Sequence, residues 1–258
     1  MAHVVSTRNQ GAMVGSALAS WPTVVGRVLS TLLGLFECWR ENRIVDWPRS
    51  QETTSRALRL RDASAHVGQC IRLAVKVRGE VPTKPCLLAA NHISYLDPLA
   101  IGQAIPLSAV AKSEVTQWPA IGETLEELGI IFVERGNAFS GATALRKAMR
   151  TLRAGVAVLV FPEGTTTFGD DVLAFSRGAF GVAKLLGVPV VPVTLRYGTR
   201  EACWVGDTSL VPHVVKLHRQ HRVDVELTFG SPLEPSAFAD ASSLAAAARQ
   251  RIRSNVCR

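Results

Sequence analysis

From residue 71 onward, short apolar runs alternate with stretches long enough for helices. The runs are IRLAVKVR at 71–78, CLLAA at 86–90, SAVA at 108–111, GIIFVE at 129–134, VAVLVF at 156–161, VVPVTL at 190–195 and VDVELTF at 223–229. Several are continuous and rich in β-branched residues, the pattern of strands buried on both faces. Helices are predicted between them at 98–104, 117–128, 139–154, 178–186 and 236–253. This alternation restricts the chain to α/β architecture. The expected fold is a single domain over 70–258, with a largely parallel or mixed central sheet of about seven strands flanked by helices. Amphipathic helices over 1–69 precede it.

In the first of these helices, Val25, Val28, Leu29, Leu32, Leu33, Phe36 and Trp39 recur at steps of three and four, starting from Pro22. Arg27, Ser30, Thr31, Gly34, Glu37 and Glu41 take the other face. Arg40, Arg43, Arg49, Arg56, Arg59 and Arg61 follow. An apolar helix beside arginines suits a membrane surface; it suits equally a helix packed on the domain's own core. Residues 9–26 are uncharged but carry Gly, Ser and Pro22. They fall short of the ~18 apolar residues of a span and make a poor signal-peptide core.

Lys and Arg number 29 against 21 Asp and Glu, a formal charge of +8. That favours an anionic partner such as nucleic acid, an anionic membrane or a phosphorylated substrate. No aromatic cluster is interleaved with the basic residues, which argues against a nucleic-acid stacking surface. The five cysteines form no CxxC pair, as expected in a reducing, cytosol-facing compartment.

In open α/β sheets, ligands sit beyond the carboxyl ends of strands. After CLLAA comes Asn91-His92-Ile93-Ser94-Tyr95-Leu96-Asp97-Pro98. His92 and Asp97, five residues apart across a strand-to-helix turn, suit a general base and the carboxylate that orients it. The plainer alternative makes Asp97 a helix N-cap before Pro98 and His92 a loop residue. After GIIFVE comes Arg135, whose planar fork suits a phosphate or carboxylate, or a salt bridge to Glu134. After VAVLVF comes Pro162-Glu163-Gly164-Thr165-Thr166-Thr167, a tight turn that is no Walker A loop. Lys112, after SAVA, is a further phosphate candidate by charge and position. His213, His218 and His221 lie among Lys216, Arg219 and Arg222 and are read as a solvated basic face, with no metal expected. No G-x-S-x-G elbow or G-x-G-x-x-G loop is present.

Taken together and in order, NHISYLD at 91–97, GIIFVERG at 129–136, FPEGT at 161–165 and VPVVPV at 188–193 resemble the 1-acylglycerol-3-phosphate acyltransferase family of lysophospholipid acyltransferases. The resemblance covers about residues 70–230, and AFSRGAF at 174–180 is similar to the segment that follows the third block. It implies transfer of an acyl chain from acyl-CoA or acyl-carrier protein to the free hydroxyl of a lysophospholipid, 1-acyl-sn-glycerol-3-phosphate foremost, to give phosphatidic acid. His92 would be the base and Asp97 its orienting partner. Arg135 would bind the acceptor's anionic head group, while Glu163, Gly164 and Thr165 would shape the acceptor site. No cofactor is implied beyond the thioester cosubstrate, and no nucleic acid. The amphipathic 22–39 helix, the arginines at 40–61 and the cysteine usage make the cytoplasmic face of the cell membrane the expected location. Another lysolipid acceptor, such as lyso-ornithine lipid, fits the same blocks. A non-catalytic lipid-binding protein would have no need of the His92–Asp97 pair.

Overall fold

The structure, a computed structural model, describes residues 18–44, 52–118, 121–206 and 208–257. Seven strands, β1 (Leu73–Arg78), β2 (Leu87–Ala90), β3 (Leu107–Lys112), β4 (Ile131–Val133), β5 (Ala157–Val160), β6 (Val190–Tyr197) and β7 (Val223–Phe229), form one sheet in the order β1-β7-β6-β2-β5-β3-β4. β6, β2, β5, β3 and β4 are parallel. β7 runs against β6, and β1 runs with β7. The carboxyl ends of five strands and the amino ends of two therefore share one edge.

Around the sheet lie α1 (Trp21–Ile44), α2 (Glu52–Cys70), α3 (Asp97–Ala104), α4 (Ile121–Glu127), α5 (Ala138–Arg153), α6 (Gly178–Leu186), α7 (Leu210–Arg219) and α8 (Ala241–Val256). Side chains alternate across a strand, so Leu87 and Leu88 enter opposite cores, and both are fully buried. Leu88, Leu159, Leu195 and Leu227 pack with Leu60 of α2, Ile101 of α3 and Leu217 of α7. Leu87, Val158 and Val160 pack with Leu152 of α5, Phe180 of α6 and Leu244 of α8. Helices on both faces explain why the central runs are apolar throughout rather than alternating.

The connection leaving β2 passes through α3 to β3, and the one leaving β5 passes through α6 to β6. These helices lie on opposite faces and lead to opposite ends of the sheet. The crevice between the ends of β2 and β5 is thus the topological switch point, where such sheets bind ligands.

Two expectations change. The predicted helix over 117–128 is shorter, α4, and Gln117 instead ends a 3-10 turn over Ser113–Gln117. The histidines read as a solvated basic face instead lie on or beside α7, which tolerates Pro212 in its first turn. His213 and His218 are buried. His213 donates to the Glu201 carbonyl at 3.0 Å and lies 3.1 Å from the Tyr95 hydroxyl. His218 donates to the Val214 carbonyl at 2.8 Å. Burial pulls both imidazoles below their ordinary range, which suits neutral core side chains with fixed partners. His221 remains exposed.

α1 packs on the domain along one side and leaves an apolar side uncovered by the described residues. One side packs on the domain: Val24 is buried, and Arg27 donates from Nη1 to the carbonyls of His218 at 2.7 Å and Gln220 at 3.1 Å. On the other, Trp21, Val25, Leu29, Leu32, Leu33 and Phe36 are each at least 50% exposed. Among the described residues, no helix is long and apolar enough to cross a membrane. Most of the uncharged 9–26 stretch, as well as Arg49, lies outside the described residues.

Candidate active site

The site is assembled on the chain that leaves β2. Asn91 fixes its start: the amide donates from Nδ2 to the Leu195 carbonyl at 3.0 Å and accepts from the Leu195 N–H at 2.8 Å. This buried exchange continues the β2–β6 pairing by one side chain. His92 comes next, its N–H donating to Glu163 Oε1 at 2.8 Å and its carbonyl accepting from Thr167 N–H at 2.8 Å. Its ring stacks on Phe161 at a centroid distance of 4.0 Å.

Asp97 is not the helix cap that its place before Pro98 predicts. Leu96 occupies the cap, and the Asp97 carboxylate turns back into the loop. Its Oδ2 accepts from His92 Nδ1 at 2.8 Å, Ile93 N–H at 2.6 Å and Ser94 N–H at 3.0 Å. Its Oδ1 accepts from the Tyr197 hydroxyl at 2.8 Å. The loop amides thus win the carboxylate over the helix amides, and four donors replace the water lost on full burial. Because Oδ2 only accepts, the proton on the ring is assigned to Nδ1, which leaves Nε2 with its lone pair free to take a proton. The His92 side chain is 17% exposed, so the ring is supported behind and open in front. Burial, then the charge of Asp97, holds the Tyr197 phenol well above its ordinary pKa, so it stays a donor.

Glu163 faces inward as a brace. Beside its bond to His92, its Oε2 accepts from Leu173 N–H at 2.8 Å, tying the loop after β5 to the loop after β2. Burial lifts its carboxyl above the usual range, while the two amide donors oppose the lift. Gly164 takes φ +72° at the turn tip, a left-handed backbone that favours glycine. Gly164 and Thr165 are exposed there.

The remaining candidates lie further along the same edge. Lys112 ends β3 and pairs with Glu114 at 2.6 Å, both half-exposed. Arg135 does not end a buried strand: β4 stops at Val133, and Arg135 is exposed on the following turn. Nor is it paired with Glu134, whose carboxylate accepts instead from Asn137 Nδ2 at 2.8 Å. β4 is three strands from β2, ~14 Å at ordinary strand spacing. The structure therefore brings His92, Asp97 and Glu163 together and sets Arg135 and Lys112 apart. Sequence reasoning missed Asn91, Phe161 and Tyr197. The one available signal for Tyr197 was a polar side chain ending an apolar strand on the ligand-bearing edge.

A family model described as Acyltransferase matches residues 72–196. A lyso-ornithine lipid O-acyltransferase from Pseudomonas aeruginosa is 36% identical over 184 residues, covering 69% of this chain and 70% of its own. A 1-acyl-sn-glycerol-3-phosphate acyltransferase from Neisseria gonorrhoeae is 30% identical over 188 residues, covering 71% and 72%. The crystal structure of the 1-acyl-sn-glycerophosphate acyltransferase PlsC from Thermotoga maritima shares the fold, with TM-score 0.65 over 91% of this chain and 96% of that one at 22% identity.

Proposed function

This chain belongs to the acyltransferase family that includes the 1-acyl-sn-glycerol-3-phosphate and lyso-ornithine lipid acyltransferases, and from that premise we propose that His92 and Asp97 carry its acyl transfer. One observation supports this above the rest: a partly exposed imidazole at the switch point, held at 2.8 Å by a fully buried carboxylate. A protein that only binds lipid gains nothing from such a pair.

In the proposed reaction, His92 Nε2 removes the proton from the acceptor hydroxyl as its oxygen attacks the thioester carbonyl. The tetrahedral oxyanion then collapses, the C–S bond breaks, and the imidazolium returns its proton to the leaving thiolate. Asp97 stabilises the transient imidazolium and holds the ring's orientation. Tyr197 is a positioning residue that acts through Asp97. Glu163 keeps the two loops in register, and Gly164 and Thr165 form the rim of the crevice.

The proposed acceptor is a lysolipid with an anionic head group, for which lysophosphatidate is the leading candidate. Lyso-ornithine lipid is a second reading, favoured by the 36% identity to the Pseudomonas enzyme against 30% to the Neisseria one. Purified, detergent-solubilised protein offered each acceptor with acyl-CoA and with acyl-carrier protein should acylate at least one. Absence of transfer in all four combinations overturns the reading.

Arg135 is the proposed head-group contact. It is exposed and has no ion pair among the described residues, so an arriving anion displaces no internal partner. Arg135→Ala is expected to raise the acceptor KM ~10-fold, the weight of one charge-assisted contact at a solvated site. The turnover number and the melting temperature should hold, and lysine should rescue in part. An unchanged acceptor KM would exclude the contact.

We also place the enzyme on the cytoplasmic face of the membrane, lying on α1. The exposed apolar residues of that helix and the free cysteines support this. Leu29 and Leu33 are 53% and 61% exposed, so exchanging both for glutamate should leave the melt unchanged. Binding to vesicles containing anionic lipid should fall more than ~10-fold, given ~1.5–3 kcal/mol for each fully buried leucine. Equal binding by the double variant would remove α1 from the membrane.

A further inference from the structure

Beside α1, on the edge of the sheet that carries His92, is a basic hollow that the reaction above leaves unused. It has a volume of about 320 Å³ and is lined by Gly68, Gln69, Arg72, His221 and Arg222, among others. β1 and β7 run against the other strands, so their amino ends lie where the others have carboxyl ends. Val225 stands opposite both Tyr197 and Val75, which puts Arg72 and Arg222 three residues beyond the level of Tyr197. β1 is three strands from β2, on the side away from β4, so the hollow and Arg135 flank His92.

Three of the four arginines here, Arg72, Arg27 and Arg219, lack a counterion among the described residues. Arg72 reaches only the His221 carbonyl at 3.4 Å and its ring nitrogen at 3.3 Å. Arg27 caps carbonyls of α7, and burial followed by the charge of Arg72 pulls its guanidinium below the ordinary value. Arg219 lies over the Trp21 ring at 5.2 Å. Among the described residues, none of these three is ion-paired. The nearby acid, Asp224, is taken by the Arg222 Nε at 2.6 Å, and the outer nitrogens of that fork have no ion pair among the described residues. Arg72 is also the one non-glycine residue with positive φ, +53°, among those described. It follows α2 and donates its N–H to the Gln69 carbonyl at 3.1 Å, a helix-ending position where glycine is favoured. Glycine would take that backbone with less strain, so Arg72 holds its guanidinium in the hollow at a conformational cost.

We propose that this hollow is a phosphate-binding site for the acyl donor, taking the nucleotide phosphates of acyl-CoA on Arg72 and Arg222. The proposal rests on the acyl-transfer reading and deepens it by naming the donor. Coenzyme A separates its thioester from its phosphates by a long pantetheine arm. A thioester at His92 therefore presents its phosphates well along the edge, and β1 lies ~14 Å away across the sheet. A phosphate there relieves the repulsion between Arg27 and Arg72, and guanidinium forks match its oxygens.

Arg72→Gly tests this without burdening the fold, because it removes the guanidinium and supplies the residue the backbone prefers. Its melting temperature should equal or exceed that of the parent. Its KM for acyl-CoA should rise ~10-fold, as for one lost charge-assisted contact, and the difference from the parent should vanish with an acyl-pantetheine thioester, which has no phosphates. Calorimetric titration with coenzyme A alone should show the same weakening, and Arg222→Gln should repeat it. Unchanged acyl-CoA KM and coenzyme A affinity overturn the site. A variant that loses only its binding to phosphatidylglycerol vesicles overturns the donor assignment and gives the hollow to lipid head groups. If the parent binds coenzyme A through Arg72 yet transfers no acyl group, the acyl-transfer reading fails and the phosphate site stands.

Discussion

His92→Ala is expected to reduce acyl transfer by ~10²–10⁴-fold, the usual weight of a general base, while the protein remains folded. Stability should survive because the side chain is partly open and its principal packing partner is a single ring, that of Phe161. The buried Asp97 is not stranded: Oδ2 keeps the N–H groups of Ile93 and Ser94, and Oδ1 keeps the Tyr197 hydroxyl. Initial rates with saturating acceptor, run beside a thermal melt, check both halves. Turnover near that of the parent would remove His92 from the chemistry.

Asp97→Asn should have an effect of the same order, ~10²–10⁴-fold in kcat, through loss of charge rather than loss of geometry. The three donors that converge on Oδ2 select the amide oxygen for that place. The new NH2 group then faces the Tyr197 oxygen, and a phenol can accept as readily as donate. The ring therefore keeps its tautomer, while the imidazolium formed during proton transfer loses its counter-charge. A lowered kcat with an unchanged acceptor KM and a nearly unchanged melt is the expected pattern. Asp97→Leu, by contrast, leaves two buried N–H groups and the Tyr197 hydroxyl without an acceptor. At ~1–3 kcal/mol each, these losses should be visible in the melt. Wild-type kcat in Asp97→Asn would rule out the charge as a contributor.

Some of this was legible in the sequence for a physical reason. A strand buried on both faces is apolar at nearly every position, so the runs at 86–90, 156–161 and 190–195 stood out without partners being known. The His92–Asp97 pair was legible because it closes over five residues. What failed depends on chain segments that meet only in three dimensions. Nothing local distinguishes Asp97 as an acceptor for its own loop from Asp97 as a cap; the hydroxyl of Tyr197, 100 residues on, fills its other oxygen. The basic character of 213–222 concealed a helix whose histidines turn inward to Tyr95, to the carbonyl of Glu201 and toward α1. The exposure of Arg135 followed from β4 being shorter than its apolar run.

The grip of Arg27 on the last carbonyls of α7 has a mechanical consequence. α7 carries His213, which meets the Tyr95 hydroxyl, and Tyr95 belongs to the loop between His92 and Asp97. The path from α1 to that loop thus consists of a guanidinium clamp, one helix and one ring-to-hydroxyl contact, with no long hinge. Such a linkage transmits height: with α1 on a bilayer as proposed above, it would set how far above the lipid the His92 imidazole rides. A lysolipid held at fixed depth in that bilayer would then have its hydroxyl level with the proposed base over the whole membrane plane. The search for substrate would become one of lateral diffusion and rotation.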